Sequence, residues 1–166
     1  MKKYVFKPYN KHFPSLFEKE KERIIHVLGK HIIVEHVGST AVPGLGGKGI
    51  IDIALGAKKD AFAEITKHLQ DLGYEFRPQF STAERLYFIT FLPDSDEGTR
   101  RYHLHLMSPE GREWKEMLYF RDYLKAHPEE VTIYADLKKA ASEEVKEEGE
   151  RYRALKAPFF KKILDL

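Results

Sequence analysis

With 166 residues, 42% of them hydrophobic and 33% charged, the chain suits one globular domain with a sizeable core. Its formal net charge of +2 is too small to argue for a nucleic-acid partner on electrostatics alone. It has no cysteine, which excludes disulfides, thiolate nucleophiles and zinc–cysteine centres.

The opening MKKYVFKPYNKHF is basic but carries no apolar stretch of the secretory kind. No uninterrupted apolar run approaches membrane-spanning length, so the expected location is the cytoplasm, with no membrane partner. No internal repeat or low-complexity linker divides the chain, and residues 1–166 are read as one domain.

Residues 1–10 read as a short extended lead. Pro14-Ser15-Leu16 opens a helix with Leu16, Ile24, Val27 and Leu28 near one face, and Gly29 ends it. An apolar, β-branched strand (Ile32, Ile33, Val34, Val37) runs to Gly38-Ser39. A glycine-rich loop leads to a second strand, Ile50 to Leu55, almost wholly apolar except for Asp52. Asp60 is the expected N-cap of a helix with Phe62, Ile65 and Leu69 on its buried face, and Gly73 is its stop.

Short strands follow. Tyr74-Glu75-Phe76 is one. Arg85 to Leu92 and Arg101 to Met107 form a hairpin around a Pro93–Gly98 turn. From Glu110 onward the pattern is helical. Trp114, Leu118, Tyr119 and Leu124 mark the first helix, and Trp114 reads as core. His127-Pro128-Glu129-Glu130 restarts a second helix. A third runs from about Glu147 to Leu166, interrupted or kinked near Pro158. The expected fold is α/β or α+β: a mixed sheet flanked by helices, with a helical C-terminal part.

A carboxylate in a strand as apolar as Ile50–Leu55 is costly to bury unless it is paired, hydrogen-bonded or bound to a cation. Gly38-Ser39-Thr40, at the end of the preceding strand, offers backbone N–H groups and two hydroxyls to an anion. Twelve residues separate Ser39 from Asp52. If the two strands are neighbours, the turn and the carboxylate meet at one edge of a pocket. Phosphate on N–H groups beside a carboxylate that holds a divalent cation is what nucleotidyl transfer needs. His103 and His105, two apart on the returning strand, point to one face and with Asp52 make a His-His-carboxylate set. Neutral imidazoles suit manganese, iron or zinc better than magnesium.

The Gly-Ser turn followed by an acid-bearing strand resembles the nucleotidyltransferase superfamily motif. The chain resembles more closely the GrpB family, bacterial proteins placed in that superfamily and also found fused to some dephospho-CoA kinases. HVGSTAVPGLGGKGIIDI (36–53), HLHL (103–106), FRDYLKAHPE (120–129) and the late Tyr152, Lys156 and Phe159 pattern carry that resemblance over nearly the whole chain. It implies the nucleotidyltransferase fold and establishes no reaction. It adds Lys48, a motif lysine, to the phosphate-binding candidates. The chain departs from the catalytic pattern at Ala54, where the superfamily places a second acid. The later strand offers His103 and His105 in place of a third.

The leading expectation is an enzyme moving a nucleotidyl or phosphoryl group from a nucleoside triphosphate to an unknown acceptor. In it, Gly38, Ser39, Thr40, Lys48 and Arg121 hold phosphate. Asp52, His103 and His105 hold a divalent metal (magnesium or manganese, with zinc a further option) and carry the chemistry. The alternative is a non-catalytic nucleotide-, ligand- or partner-binding domain that has lost its acids. A third option is a metal-dependent phosphate-ester hydrolase using the same histidines. Each residue also has a plain reading. Asp52 could cap the loop backbone, the histidines could be the polar face of a hairpin, His36 could brace the turn, and Arg121-Asp122 could be an internal ion pair. Tyr152 and Lys156 could be a packed helical pair, and residues 142–153 a solvated charged face.

Overall fold

The computed structural model describes the backbone of residues 6–145 and 149–165 and the side chains of 6–140 and 157–165. Tyr152, Lys156 and the charged run 142–153 therefore lie outside the residues whose side chains are described.

Helix α1 (Phe13–Leu28) precedes β1 (Ile33–Val37) and β2 (Ile51–Gly56). Helix α2 (Phe62–Asp71) leads to β3 (Glu75–Phe76) and the long hairpin β4 (Arg85–Asp94) and β5 (Gly98–Met107). Three helices close the chain: α3 (Arg112–Ala126), α4 (Pro128–Val145) and α5 (Gly149–Leu164). The five strands form one mixed sheet in the order β1-β2-β5-β4-β3. Only β2 and β5 run parallel. This is the expected mixed sheet flanked by helices, with a helical C-terminal part.

Strand alternation assigns the two faces. Ile51, Ile53 and Leu55 of β2, with Tyr102, Leu104 and Leu106 of β5, turn to α1 and α2 and form the main core with Phe17, Ile24 and Leu69. Asp52 and Ala54 of β2, with His103 and His105 of β5, turn the other way, since Asp52 pairs with His103 and Ala54 with His105. At one end this second face is closed by Trp114 of α3, which packs with Val37, Ala54 and Met107. Around Asp52, His103 and His105 it stays partly open to solvent.

A second apolar cluster joins the glycine-rich loop to the C-terminal helices. Val42 and Leu45 pack with Leu124, Val131, Tyr134, Phe159 and Ile163. The loop is thus held between sheet and helices.

Four details differ from the sequence reading. In α1 the buried face is Phe13, Phe17, Glu20, Ile24 and Leu28, while Val27 is 38% exposed. The bulky aromatics at Phe13 and Phe17 set the rotation of the helix. Asp60 does not cap α2. It lies inside a 3-10 turn, Lys59–Ala61, closed by the Ala61 N–H on the Lys58 carbonyl at 2.9 Å. Helix α5 is continuous through Pro158. The hairpin also extends further than expected: β4 continues to Asp94, whose carboxylate accepts the N–H groups of Asp96 and Glu97 at 3.0 and 2.8 Å.

Glu20 is the acid inside the main core. It receives Arg23 through two bonds (2.7 and 2.9 Å) and the Tyr74 hydroxyl, while Arg23 also reaches the Leu72 carbonyl at 3.0 Å. This knot ties α1 to the end of α2. Removing the acid leaves buried donors unpaired. Glu20→Ala should therefore cost about 2 kcal/mol, the ion pair being half open to solvent. Urea unfolding checks this, and an unchanged midpoint would show that the knot holds nothing.

Candidate functional site

The site forms where β1 ends and β2 begins. Antiparallel pairing places Val37 opposite Asp52, so the turn after β1 lies directly against the carboxylate. Gly38 has φ 76° and ψ −174°, a region open essentially to glycine alone. A Cβ there would collide with Asp52 Oδ2. Ser39–Ala41 then form a single 3-10 turn, closed by Ala41 N–H on the Gly38 carbonyl (3.1 Å) and Val42 N–H on the Ser39 carbonyl (3.1 Å).

The turn is braced from below. The buried Thr40 hydroxyl donates to the Ile50 carbonyl at 3.1 Å and meets His36 Nε2 at 2.9 Å. The hydroxyl's one proton is committed, so His36 Nε2 is the donor in the second contact. His36 stacks on Phe17, ring centroids 4.6 Å apart and nearly coplanar. Burial pushes the His36 pKa down to about 4 and keeps the ring neutral. The far side of the loop is held by Lys7, which exchanges backbone bonds with Gly47 (2.6 and 2.9 Å), and by Arg100 on the Gly49 carbonyl (2.8 Å).

Asp52 faces two imidazoles. Its Oδ1 lies 3.5 Å from His103 Nδ1 and 3.7 Å from His105 Nε2. Burial alone would raise the Asp52 carboxyl, but the two imidazoles outweigh it and hold the group ionised, well below the usual carboxylate range. Burial pushes His103 below the ordinary imidazole value, against the pull of Asp52. Tyr87 of β4 completes the group, its hydroxyl 2.8 Å from His103 Nδ1. Burial and the Asp52 charge push the Tyr87 phenol up to about 12, so it stays protonated.

The outer nitrogens, His103 Nε2 and His105 Nδ1, are buried with no hydrogen-bond partner. Asp, His and His suit a borderline divalent cation by donor type. Among the described residues no group of three or more His, Asp or Glu is already gathered around a metal position, and the two imidazoles stand 3.5 and 3.7 Å from Asp52 Oδ1. His103 Nδ1 is already engaged by Tyr87, and the outer nitrogens lack the supporting partners that orient metal-bound imidazoles.

The sequence candidates separate accordingly. Gly38, Ser39, Asp52, His103 and His105 come together. Lys48 follows Gly47 in the loop and is half-buried. The Thr40 hydroxyl faces inward and serves the fold. Arg121 binds the Glu35 carboxylate (2.7 Å), the His36 carbonyl (3.0 Å) and Asp122 (2.9 Å), so these contacts tie α3 to β1. Ala54 lies buried beneath Trp114, so an acid there would have no room or solvent.

Two residues were missed. Lys138 of α4, only 4% exposed, reaches into the loop. A Cβ on Gly47 would stand 2.5 Å from Lys138 Nζ and 2.7 Å from Ser39 Oγ, so the bare glycine makes room for both. No local pattern in α4 singles this lysine out. Tyr87 could have been found, because it faces His105 in the hairpin register.

Fold and site together define an α+β domain with a basic cleft around one carboxylate. The family profile described as GrpB protein matches residues 3–166, and the chain belongs to the GrpB family. A UPF0157 protein of Pseudomonas aeruginosa is 33% identical over 95% of this chain, which spans only 64% of that relative. The glutamate-rich protein GrpB of Alkalihalophilus pseudofirmus is 30% identical, covering 95% of this chain and 91% of its own. The crystal structure of conserved protein GrpB from Enterococcus faecalis superposes with a TM-score of 0.82 at 27% identity, covering 96% and 94% of the two chains. Among the described residues, no helix is long and apolar enough to cross a membrane.

Gly38→Ala should destabilise the protein by about 2 kcal/mol and displace Asp52. Thermal unfolding reads the first effect, and shifted His103 and His105 imidazole resonances the second. Wild-type stability without either change would free Gly38 from this role. His36 gives a pH signature. Its folded pKa lies below the unfolded 6.5, so the unfolded chain takes up the proton first. The stability from neutral His36 is full above pH 6.5 and drains as pH falls towards about 4. An NMR titration should place His36 below pH 5, and a midpoint near 6.5 would overturn the brace.

Proposed function

We propose that the chain binds a nucleoside triphosphate and transfers a nucleotidyl or phosphoryl group from it to an acceptor. The observation that carries this reading is the cradle at Gly47, where a glycine without a side chain leaves room for the buried Lys138 ammonium and for the hydroxyl of Ser39, the residue after the Gly38 that touches Asp52. A buried ammonium beside a hydroxyl and the N–H groups of a tight turn suits a polyphosphate.

In this reading Ser39, the Gly38 turn, Lys48 and Lys138 receive the phosphates. Asp52, steadied by His103 and His105, receives the divalent cation that accompanies the triphosphate. That cation would neutralise charge on the phosphate oxygens. The acceptor hydroxyl attacks phosphorus as the bond to the leaving group breaks, pyrophosphate in nucleotidyl transfer or the nucleoside diphosphate in phosphoryl transfer, and neutral His103 takes the hydroxyl proton. The rest is positioning and charge stabilisation. Membership of the nucleotidyltransferase superfamily, implied by the sequence motif, supports the same reading.

Ala54 favours a second reading, a nucleotide-binding domain without catalysis. Burial under Trp114 leaves Asp52 without the second carboxylate that two-cation chemistry uses.

Thermal shift separates binding from its absence. Nucleoside triphosphates with magnesium, manganese or zinc should raise the melting temperature of the wild type, by about 2.7 kcal/mol of stability at one hundred times the dissociation constant. Asp52→Asn should lose the metal-dependent part of the gain. Lys138→Gln and Gly47→Ala should weaken binding about tenfold or more. No shift with any nucleotide in a folded sample would sink the proposal. Binding without turnover in every metal would favour the second reading.

A further inference from the structure

On the other flank of Asp52, β5 and β4 carry arginines and aromatics on the open face. Arg101 precedes His103 by two residues and so shares its face, and it pairs in register with Phe91. Arg85 and Tyr87 lie further along the same face of β4. Arg77, just beyond β3, acts on Tyr87 electrostatically, as do Arg85 and Arg101.

The three guanidiniums differ in their partners. Arg77 sits 3.1 Å from Glu75, and Arg85 3.7 Å from Glu113. The Arg101 guanidinium has no ion pair or hydrogen bond among the described residues. Its Nε is buried without a partner, and its guanidinium lies 5.8 Å over the Phe91 ring. A half-buried cation of this kind has given up part of its hydration with no anion in return. The ring beneath it, Phe91, is 58% exposed, and Phe80, stacked edge-on to Tyr87 at 6.0 Å, is 52% exposed. Exposed aromatic faces beside an unpaired arginine match a ligand that is flat at one end and anionic at the other.

Strand order gives this flank its meaning. Ser39 follows β1, Asp52 is on β2, Arg101 on β5 and Phe91 on β4. Arg101 is therefore on the opposite side of Asp52 from the Ser39 turn, about two strand spacings (roughly 10 Å) across the sheet. The two sides could hold two molecules with Asp52 between them.

We propose that Arg101, over Phe91, binds the second substrate of this site, and that this substrate is a small molecule bearing an aromatic or other flat group and an oxyanion, phosphate or carboxylate. The assignment of a second substrate rests on the nucleotide-transfer reading above. The anion site itself rests on Arg101 and its neighbours alone. The planar fork of Arg101 takes two oxygens of the anion, and Phe91 supports the flat group.

The test uses phenyl phosphate, benzoate and neutral phenol as probes, titrated calorimetrically into the full chain. The wild type should bind phenyl phosphate or benzoate and ignore phenol, and the stronger of the two identifies the anion. Arg101→Gln should weaken that binding about tenfold. Lys138→Gln should leave it within about twofold. A nucleoside triphosphate with magnesium should show the reverse dependence. If Arg101→Gln does not fold, probe-induced shifts of Phe91 and His103 resonances in the wild type decide instead. Unchanged affinity in Arg101→Gln, loss in Lys138→Gln alone, no binding of either anion, or shifts confined to residues 38–49 would each overturn the proposal. Arg101-dependent anion binding with no nucleotide binding in any protein would overturn the nucleotide reading and leave the anion site standing.

Discussion

The contact between the bare Cα of Gly38 and the Asp52 carboxylate is the constraint on which the site depends. A side chain at Gly38 would occupy the space of Oδ2, and the backbone there adopts a conformation that only glycine holds without strain. Because the turn comes this close, Asp52 is covered on one side by backbone and faces its imidazoles on the other. A carboxylate so enclosed must keep compensating partners. Two histidines from the parallel neighbour strand provide them, and register brings His103 alongside Asp52 with no loop between.

The second constraint is the attachment of the loop. Residues 38–49 are irregular and glycine-rich, and such a segment is usually mobile. Here Val42 and Leu45 are fully buried among C-terminal helices, Thr40 ties the turn to the start of β2, and Lys7 and Arg100 hold the glycines beyond. The helical C-terminal part is thus a wall of the site. It covers the loop and delivers the ammonium of Lys138 to it. A cleft assembled this way is pre-organised, so ligand binding need not order the loop.

Electrostatically the cleft is asymmetric. One carboxylate stands among imidazoles, arginines and lysines, although the whole chain is nearly neutral. Around it Arg77, Arg85 and Arg121 are matched by Glu75, Glu113 and Glu35, whereas the Arg101 guanidinium has no acid beside it among the described residues. Ala54 deepens the asymmetry. Trp114 fills the space over it, so the strand position that could add a negative charge contributes packing instead. An anion is the ligand that such a field favours.

The chain by itself determined the order of elements, the Gly-Ser turn, the acid-bearing strand and the histidine pair, because each is written in local periodicity. Alternation along Arg101-Tyr102-His103-Leu104-His105 separates core from cleft without reference to any other segment. The rotation of α1 and the entry to α2 were read less well. They are set by aromatic packing and a 3-10 turn that depend on neighbours distant in sequence. The tertiary structure alone decided which polar groups are spent and which face the cleft. Thr40 and Arg121 lie in recognisable motifs, yet their contacts brace the fold. Lys138 lies in an ordinary helical stretch, yet helix packing brings it to the loop. The unpaired state of Arg101 depends on where Glu75 and Glu113 fall across the sheet. Partnership is a property of three-dimensional neighbours, and neither spacing nor composition carries it.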